Sequence, residues 1–457
     1  MKKRSRQKNK ADVEGLPILE PHSAGIDLGS REHCVCAPTP DGGEREVCTF
    51  ETTTPQLLAM ADWLKERKVK TVAMESTGVY WVPVYEILER AGFEVLLVNA
   101  RHVRSVSGRK SDPHDCRWIQ RLHACGLLSG SFRPEDRICP LRALMRQTAN
   151  YVEARSTAVQ WIQKALDQMN VAVHRAVSDV TGVTGMQIIR AIVAGERDPK
   201  VLAELRDKRC KKSKEEIAEY LTGNWREEHL FNLEEALRHF DDLEATINRY
   251  EDRIMAELKA LAPEDGDDPP PINPNPSKEK SIRRHGNAPL RDALFFASGV
   301  DLTAIDGINV GVAAVVLSEL GCSLDKFPNE RAFVKWLRLC PNNPTSAGKV
   351  LHKKTRGTGS SRVSRALRQA AVSVRKSNSA LGAEYRRTAR RCGAGSAVFA
   401  VARRLAKFVF RMLRYGRAYV DVGAAAYEER FAKQRFANFL RQAEAFGVDV
   451  VPKLKPA

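Results

Sequence analysis

Between residues 23 and 128 the apolar positions switch repeatedly between a period of two and a period near 3.6. "AGIDLGS" (24–30), "HCVCAPTP" (33–40) and "REVCTFET" (45–52) read as short strands, the last two joined by the hairpin-type turn "DGG". "TTTPQLLAMADWLKERK" has capping threonines, Pro55 near its first turn and an amphipathic stripe, so it predicts a helix. "VKTVAMES" is a strand, "GVYWVPVYEILERAG" a helix closed by Gly92, and "FEVLLVNA" a further strand. After the basic connector "RHVRSVSGRK", Ser111 to about Leu128 is helical again. The order β-β-β-α-β-α-β-α predicts a mixed sheet with helices on its faces.

Past this region the pattern becomes helical. Pro140 to about Asn170 forms one long apolar stripe, and Leu230, Leu233, Leu237, Phe240, Leu243, Ile247, Tyr250, Ile254 and Leu258 recur at steps of three and four. That is coiled-coil spacing, open to either an antiparallel hairpin within the chain or a contact between copies. Residues 263–289 are dense in proline and charge and read as a linker or insert. The expected domains are a basic flexible tail (1–22), an α/β domain (23–135), a helical spacer (136–262), the linker, a mainly α-helical domain (290–418) and a helical tail (419–457).

Composition adds location and partner. The 457 residues are 43% apolar and 28% charged, no apolar run is long enough for a membrane helix, and the basic N-terminus lacks the apolar core of a signal peptide, so a cytoplasmic protein is expected. Ten cysteines without a CxxC pair support neither a zinc ribbon nor a disulfide framework. The net charge is +18, yet Arg331 to Arg417 alone holds 22 Lys or Arg against one acid, Glu384, a local +21. A basic block on an otherwise near-neutral chain is the footprint of a polyanion partner.

Two constellations carry chemistry. Asp27 lies in the first strand, Glu75 ends the fourth, and Asp112 and Asp115 open the last helix of the α/β region, three apart and so on one face. Singly, each acid also suits a helix terminus or cap. Four carboxylates gathered together need a compensating cation, and Mg2+, which prefers carboxylate oxygens and water, suits phosphoryl transfer. The second constellation is "LCPNNPTSAGKVLHKKTRGTGSSRVSRALRQAA" (339–371), where Ser346 lies in a Pro/Asn/Gly loop beside Lys349, Lys353, Lys354 and Arg356, with Arg362, Arg365 and Arg368 beyond. A serine so surrounded can meet a phosphate, or can simply serve a turn. Thr345, Ser360 and Ser361 lie close by. Gly307 and Gly311 in "IDGINVGVAAVVLSELG" suit either backbone phosphate binding or tight helix packing.

The four acids resemble the DEDD set of RNase H-like nucleases of the RuvC type. With "MESTGVYW", the helical spacer, "IDGINVGVAAVVLSELG" and "CPNNPTSAGK" in this order, residues 23–418 resemble the transposases of the "IS one-ten" insertion-sequence family, the bridge-RNA-guided DNA recombinases. The resemblance implies that Asp27, Glu75, Asp112 and Asp115 bind Mg2+ and that Ser346 is a nucleophile forming a covalent phosphoserine link. It further implies donor and target DNA, a non-coding guide RNA, and a homo-oligomer in which acids of one subunit meet the serine of another. Extra length at 197–228 and 263–289 and the tail after 418 depart from compact members. A metal nuclease of the Holliday-junction-resolving type, with water as nucleophile, is the alternative enzyme; a binding protein without chemistry is the third reading.

Overall fold

The computed structural model describes residues 15–41, 44–76, 78–99, 115–263, 270–340, 345–346, 349–350, 361–416, 418–419 and 422–450. They fall into two compact units, Met1–Arg133 and Pro134–Ala457.

In the first unit the strands β1 (Ser23–Leu28), β2 (Glu32–Pro38), β3 (Arg45–Glu51), β4 (Thr71–Glu75) and β5 (Glu94–Val98) form one sheet in the order β3-β2-β1-β4-β5. β2 runs antiparallel to both β1 and β3, whereas β1, β4 and β5 are parallel. This is the expected mixed sheet, compatible with an RNase H-like fold.

Alternation along the strands sorts side chains between two faces. Ala24, Ile26, Leu28, Val72 and Met74 pack with Leu57, Met60 and Leu64 of α1 (Thr54–Glu66) and with Val84 and Leu88 of α2 (Trp81–Arg90). On the opposite face Ala73 and Val98 meet Ile119 and Leu122 of α3 (Asp115–Ala124). α3 ends earlier than the apolar pattern predicts, at Ala124. Gly126, at φ +68°, closes it with Leu127 N–H donating to Leu122 O at 2.9 Å, a left-handed stop the periodicity does not register.

The tail expected to be flexible through residue 22 is tied down earlier. Leu19 N–H donates to Ala124 O at 2.8 Å, and His22 O accepts from Lys70 N–H at 2.8 Å. Leu16, Ile18 and Leu19 follow the basic run, which ends at Lys10 and lies outside the described residues.

The second unit is helical. α4 (Cys139–Gln168) lies antiparallel to a later long helix, here numbered α7 (Glu227–Leu261), as three contacts establish: Tyr151 with Tyr250, Arg155 with Glu244, and Trp161 with His239. Numbers rise on one helix as they fall on the other. The stripe Leu233, Leu237, Phe240 and Leu243 is buried with Ala158, Ile162, Ala165 and Leu166, so the heptad pattern encodes a hairpin within the chain. At its far end sit α5 (Val183–Val193), the short helix Pro199–Glu204 and α6 (Lys214–Leu221), which carries a Ser213/Glu216 capping box.

The segment expected as a linker holds α8 (Pro276–Arg284), and α9 (Ala288–Ser298) begins at its end. Asn275 caps α8 and Pro276 opens it. The stretch is anchored by buried polar groups rather than by apolar area: Arg291, 5% exposed, donates to Asp301 at 2.6 and 3.0 Å, to Glu279 at 2.9 Å and to Pro271 O at 2.6 Å. Proline and charge density hides such an anchor in the sequence.

The remainder comprises α10 (Val310–Leu320), α11 (Glu330–Trp336), the two-stranded pair β6 (Thr345–Ser346) and β7 (Lys349–Val350), α12 (Arg362–Ser373), α13 (Ala380–Cys392), α14 (Ala394–Tyr415) and α15 (Gly423–Ala445). Phe333 packs against Phe327 and Phe410 at its centre, rings 5.1 and 5.7 Å apart. Gly307, at φ +86°, is a packing glycine: a β-carbon there would lie 2.8 Å from Ala370 O on α12. Among the described residues no helix is long and apolar enough to cross a membrane.

Candidate active site

Gly25 and Asp27 share the α3 face of β1, as Ala73 and Glu75 share it on β4. β1 and β4 are parallel with Ile26 opposite Met74, so the next residues, Asp27 and Glu75, stand side by side on strands roughly 4.8 Å apart. Both are half-buried at the C-terminal ends of their strands.

α3 carries the third acid, Asp115. Its Gln120 amide donates to Ser23 O at 3.1 Å, and His123 Nε2 meets Thr71 Oγ1 at 2.9 Å, whereas Cys116 near its start lies over Gly25. The helix therefore runs against the direction of β1. Asp115, half-buried, is the first described residue of this helix, one before Cys116. Asp112 lies outside the described residues. Among the described residues no three His, Cys, Asp or Glu side chains stand close enough to hold an ion together. The donor set is one of hard carboxylate oxygens, which fits a divalent cation such as Mg2+.

Three thiols border this site. Cys34 is paired with Asp27 across β1 and β2, and Cys36 with Gly25. Burial pushes the Cys36 thiol up to about 11, and burial with Cys34 and Cys36 nearby pushes Cys116 up to about 12, so both stay protonated at neutral pH. The i, i+2 spacing of "CVC" was the available signal, since it puts both thiols on the face that Asp27 shares.

In the second unit, Ser346 and Lys349 are the inner pair of the β6–β7 ladder. Lys353, Lys354, Arg356 and Ser360 lie outside the described residues, and Ser361 caps α12 by accepting from Ser364 N–H at 3.1 Å. On α12, Arg362 and Arg365 are exposed, while Arg368 is half-buried, over the Phe399 ring at 5.4 Å and donating to Ser364 O at 3.3 Å.

Arg362 also belongs to a charge cluster that sequence reasoning missed. Glu319 on α10, with a 9% exposed side chain, accepts from Arg142 at 3.0 Å and from Arg146 at 2.8 and 2.7 Å, with Arg362 at 3.8 Å. Burial alone would raise the Glu319 pKa, but the Arg146 hydrogen bonds and the charges of Arg142, Arg146 and Arg362 hold it below the ordinary value. The i, i+4 spacing of Arg142 and Arg146 was its only local trace. Acids outside the basic block offset part of it likewise: Glu330 pairs with Lys407 at 2.8 Å and Arg411 at 3.0 Å, and Asp325 pairs with Arg414.

Comparison with known proteins gives two matches in the order these sites occur. Residues 24–171 match the transposase family model for the DEDD type of IS110 elements, and residues 300–386 match the model described as transposase, IS116/IS110/IS902 family. No curated protein matches the chain. The first match spans Asp27, Glu75, Asp112 and Asp115; the second spans the pair that carries Ser346. The chain therefore belongs to the IS110 family of insertion-sequence transposases, enzymes that cut and rejoin DNA.

Proposed function

We propose that the chain is a cytoplasmic, RNA-guided DNA recombinase that excises and inserts its own element, using an RNase H-like, RuvC-like domain with a DEDD set and a serine nucleophile in its helical domain. The observation that carries the reading is the in-register placement of Asp27 and Glu75 on the α3 face, inside the DEDD-matched segment. The domain limits proposed are 23–135 for the DEDD part and 290–418 for the serine part, with 136–262 as spacer.

Asp27, Glu75, Asp112 and Asp115 would hold Mg2+, which when bound offsets charge on the phosphate. Asp27 and Glu75 are carried by neighbouring strands and Asp115 by α3, all three within the DEDD-matched segment. In the reaction Ser346 Oγ loses its proton and bonds to the phosphorus of a DNA phosphodiester; the bond to one strand oxygen breaks, and that oxygen leaves as a hydroxyl. A strand hydroxyl then attacks the phosphoserine ester, restoring the serine and joining DNA. Lys349, Lys353, Lys354 and Arg356 neutralise the phosphate, and Arg362, Arg365 and Arg368 extend the same basic surface along α12. A homo-oligomer, dimer or tetramer, brings the acids of one subunit to the serine of another, and base pairing with the non-coding RNA selects donor and target DNA.

The test incubates purified protein, RNA from the DNA flanking its gene, and labelled DNA with Mg2+, and looks for DNA bound covalently to protein. An adduct with wild type that vanishes with Ser346→Ala is expected. Free cleavage products without an adduct would instead make the four acids a water-using nuclease of the resolvase kind.

A further inference from the structure

Between α13, α14 and α15 lies a groove of about 820 Å³ lined by Arg387, Arg391, Arg404, Arg430 and Arg435, and none of its lining side chains is acidic. Glu384, the sole acid of the basic block, stands outside the lining and pairs with Arg404 at 3.3 Å. Arg391, Arg430 and Arg435 are exposed, and no acid pairs with them among the described residues. Five guanidinium groups around one groove repel one another unless an anion joins them.

Arg387 is set in advance for that anion. Its guanidinium lies 3.8 Å over the Phe431 ring and donates through one terminal nitrogen to Tyr427 Oη at 2.7 Å, while its buried Nε has no hydrogen-bond partner. A stacked fork with donor capacity left over suits a phosphate better than a diffuse counter-ion does. Thr388, Gln434 and Asn438 add neutral polar groups to the same lining. Tyr427, Arg430, Phe431 and Arg435 all belong to α15, which lies beyond both family-matched segments, the second ending at residue 386. Arg387, Arg391 and Arg404 complete the groove from α13 and α14.

We propose that this groove binds the phosphodiester backbone of a nucleic-acid strand, with Arg391, Arg430 and Arg435 as phosphate contacts and Arg387 as the oriented fork. A member of a DNA transposase family always works beside phosphodiesters. Backbone contacts of this kind fix register without reading sequence. Binding also explains the attachment of α15: within it only Ala443 is fully buried, so a ligand bridging it to α13 would hold it down.

The test uses the full chain without divalent metal, so it is independent of the serine chemistry and the carboxylate site. Fluorescent 20-nucleotide single-stranded DNA, single-stranded RNA of the same sequence and duplex DNA are titrated at several salt concentrations. R391Q/R430Q/R435Q is compared with R238Q/R249Q/R253Q, which removes the same charge from exposed positions of α7. On the probe the groove takes, the first variant loses about tenfold or more in affinity and its salt slope falls by roughly two to three, while the second stays near wild type. The probe that responds names the occupant as DNA or RNA. The single change Arg435→Gln, at an exposed site, lowers the slope by about one and guards against misfolding of the triple variant. Equal losses in the two triple variants, or no loss on any probe, overturn the proposal.

Discussion

Gly25 lies against the backbone of Gln120: a β-carbon on Gly25 would stand 2.3 Å from Gln120 N and 2.6 Å from Cys116 O. Neither atom belongs to a side chain that can swing away. The missing methyl lets α3 lie flat on β1. Gly25→Ala is expected to cost at least about 2 kcal/mol by chemical unfolding and to reduce DNA cleavage beyond that loss of folded protein. Wild-type stability in this variant would mean that α3 can lift without penalty.

The paired strand ends predict a metal dependence. Asp27→Asn and Glu75→Gln keep the volume of each side chain but remove the charge, and each should lower DNA cleavage by at least ~100-fold. Chelation of divalent ions should do the same to wild type. Affinity for nucleic acid, measured without metal, should stay within about twofold. Cleavage unaltered by either substitution would remove that acid from the site.

Glu319 predicts a defect of stability. Glu319→Gln leaves Arg142 and Arg146 without their shared negative charge and should cost about 3 kcal/mol, the low end for a broken buried pair because the arginines still reach water. The wild-type contribution has a pH signature. A carboxylate held below its ordinary pKa contributes stability that is present above its unfolded value and lost as pH falls through the folded one, so the difference between wild type and variant should shrink in acid. A difference constant down to pH 2 would rule out Glu319 as the titrating group.

Lys278 predicts a slope of the same sign in the alkaline range. Its ammonium donates to Ile305 O at 2.8 Å, and burial pulls its pKa down to about 8 from 10.5 despite Asp306 and Asp301 nearby. Between those values the unfolded chain binds the extra proton, so the penalty for burying the charge is complete below pH 8 and relieved as pH rises toward 10.5. Relative to Lys278→Met, wild type should therefore gain stability across that window. Parallel pH profiles for the two proteins would contradict a lowered pKa.

What the sequence disclosed depends on the range of the interaction. The strands and the long helices rest on local periodicity, and the alternation that puts Ile26 and Asp27 on opposite faces is visible in "AGIDLGS" itself. Their partners are set by register across many residues, which periodicity does not carry: nothing in "VAMES" says that Glu75 will stand beside Asp27. The heptads of α7 announced a helical partner but not whether it was α4 or another copy. Arg387 and Phe431 show the limit most clearly. They lie 44 residues apart on two helices, and their stacking is a contact that no local pattern carries.

The antiparallel course of α4 and α7 has an evolutionary consequence. The chain enters this pair at Cys139 and leaves at Leu261, residues at the same end, after an excursion of roughly 45 Å out and back. Whatever is spliced between residues 169 and 226 is therefore added at a remote tip, and the helices that follow the pair need not shift to admit it. Such a port lets a lineage acquire, trade or discard a small domain there while the chemistry stays under separate selection.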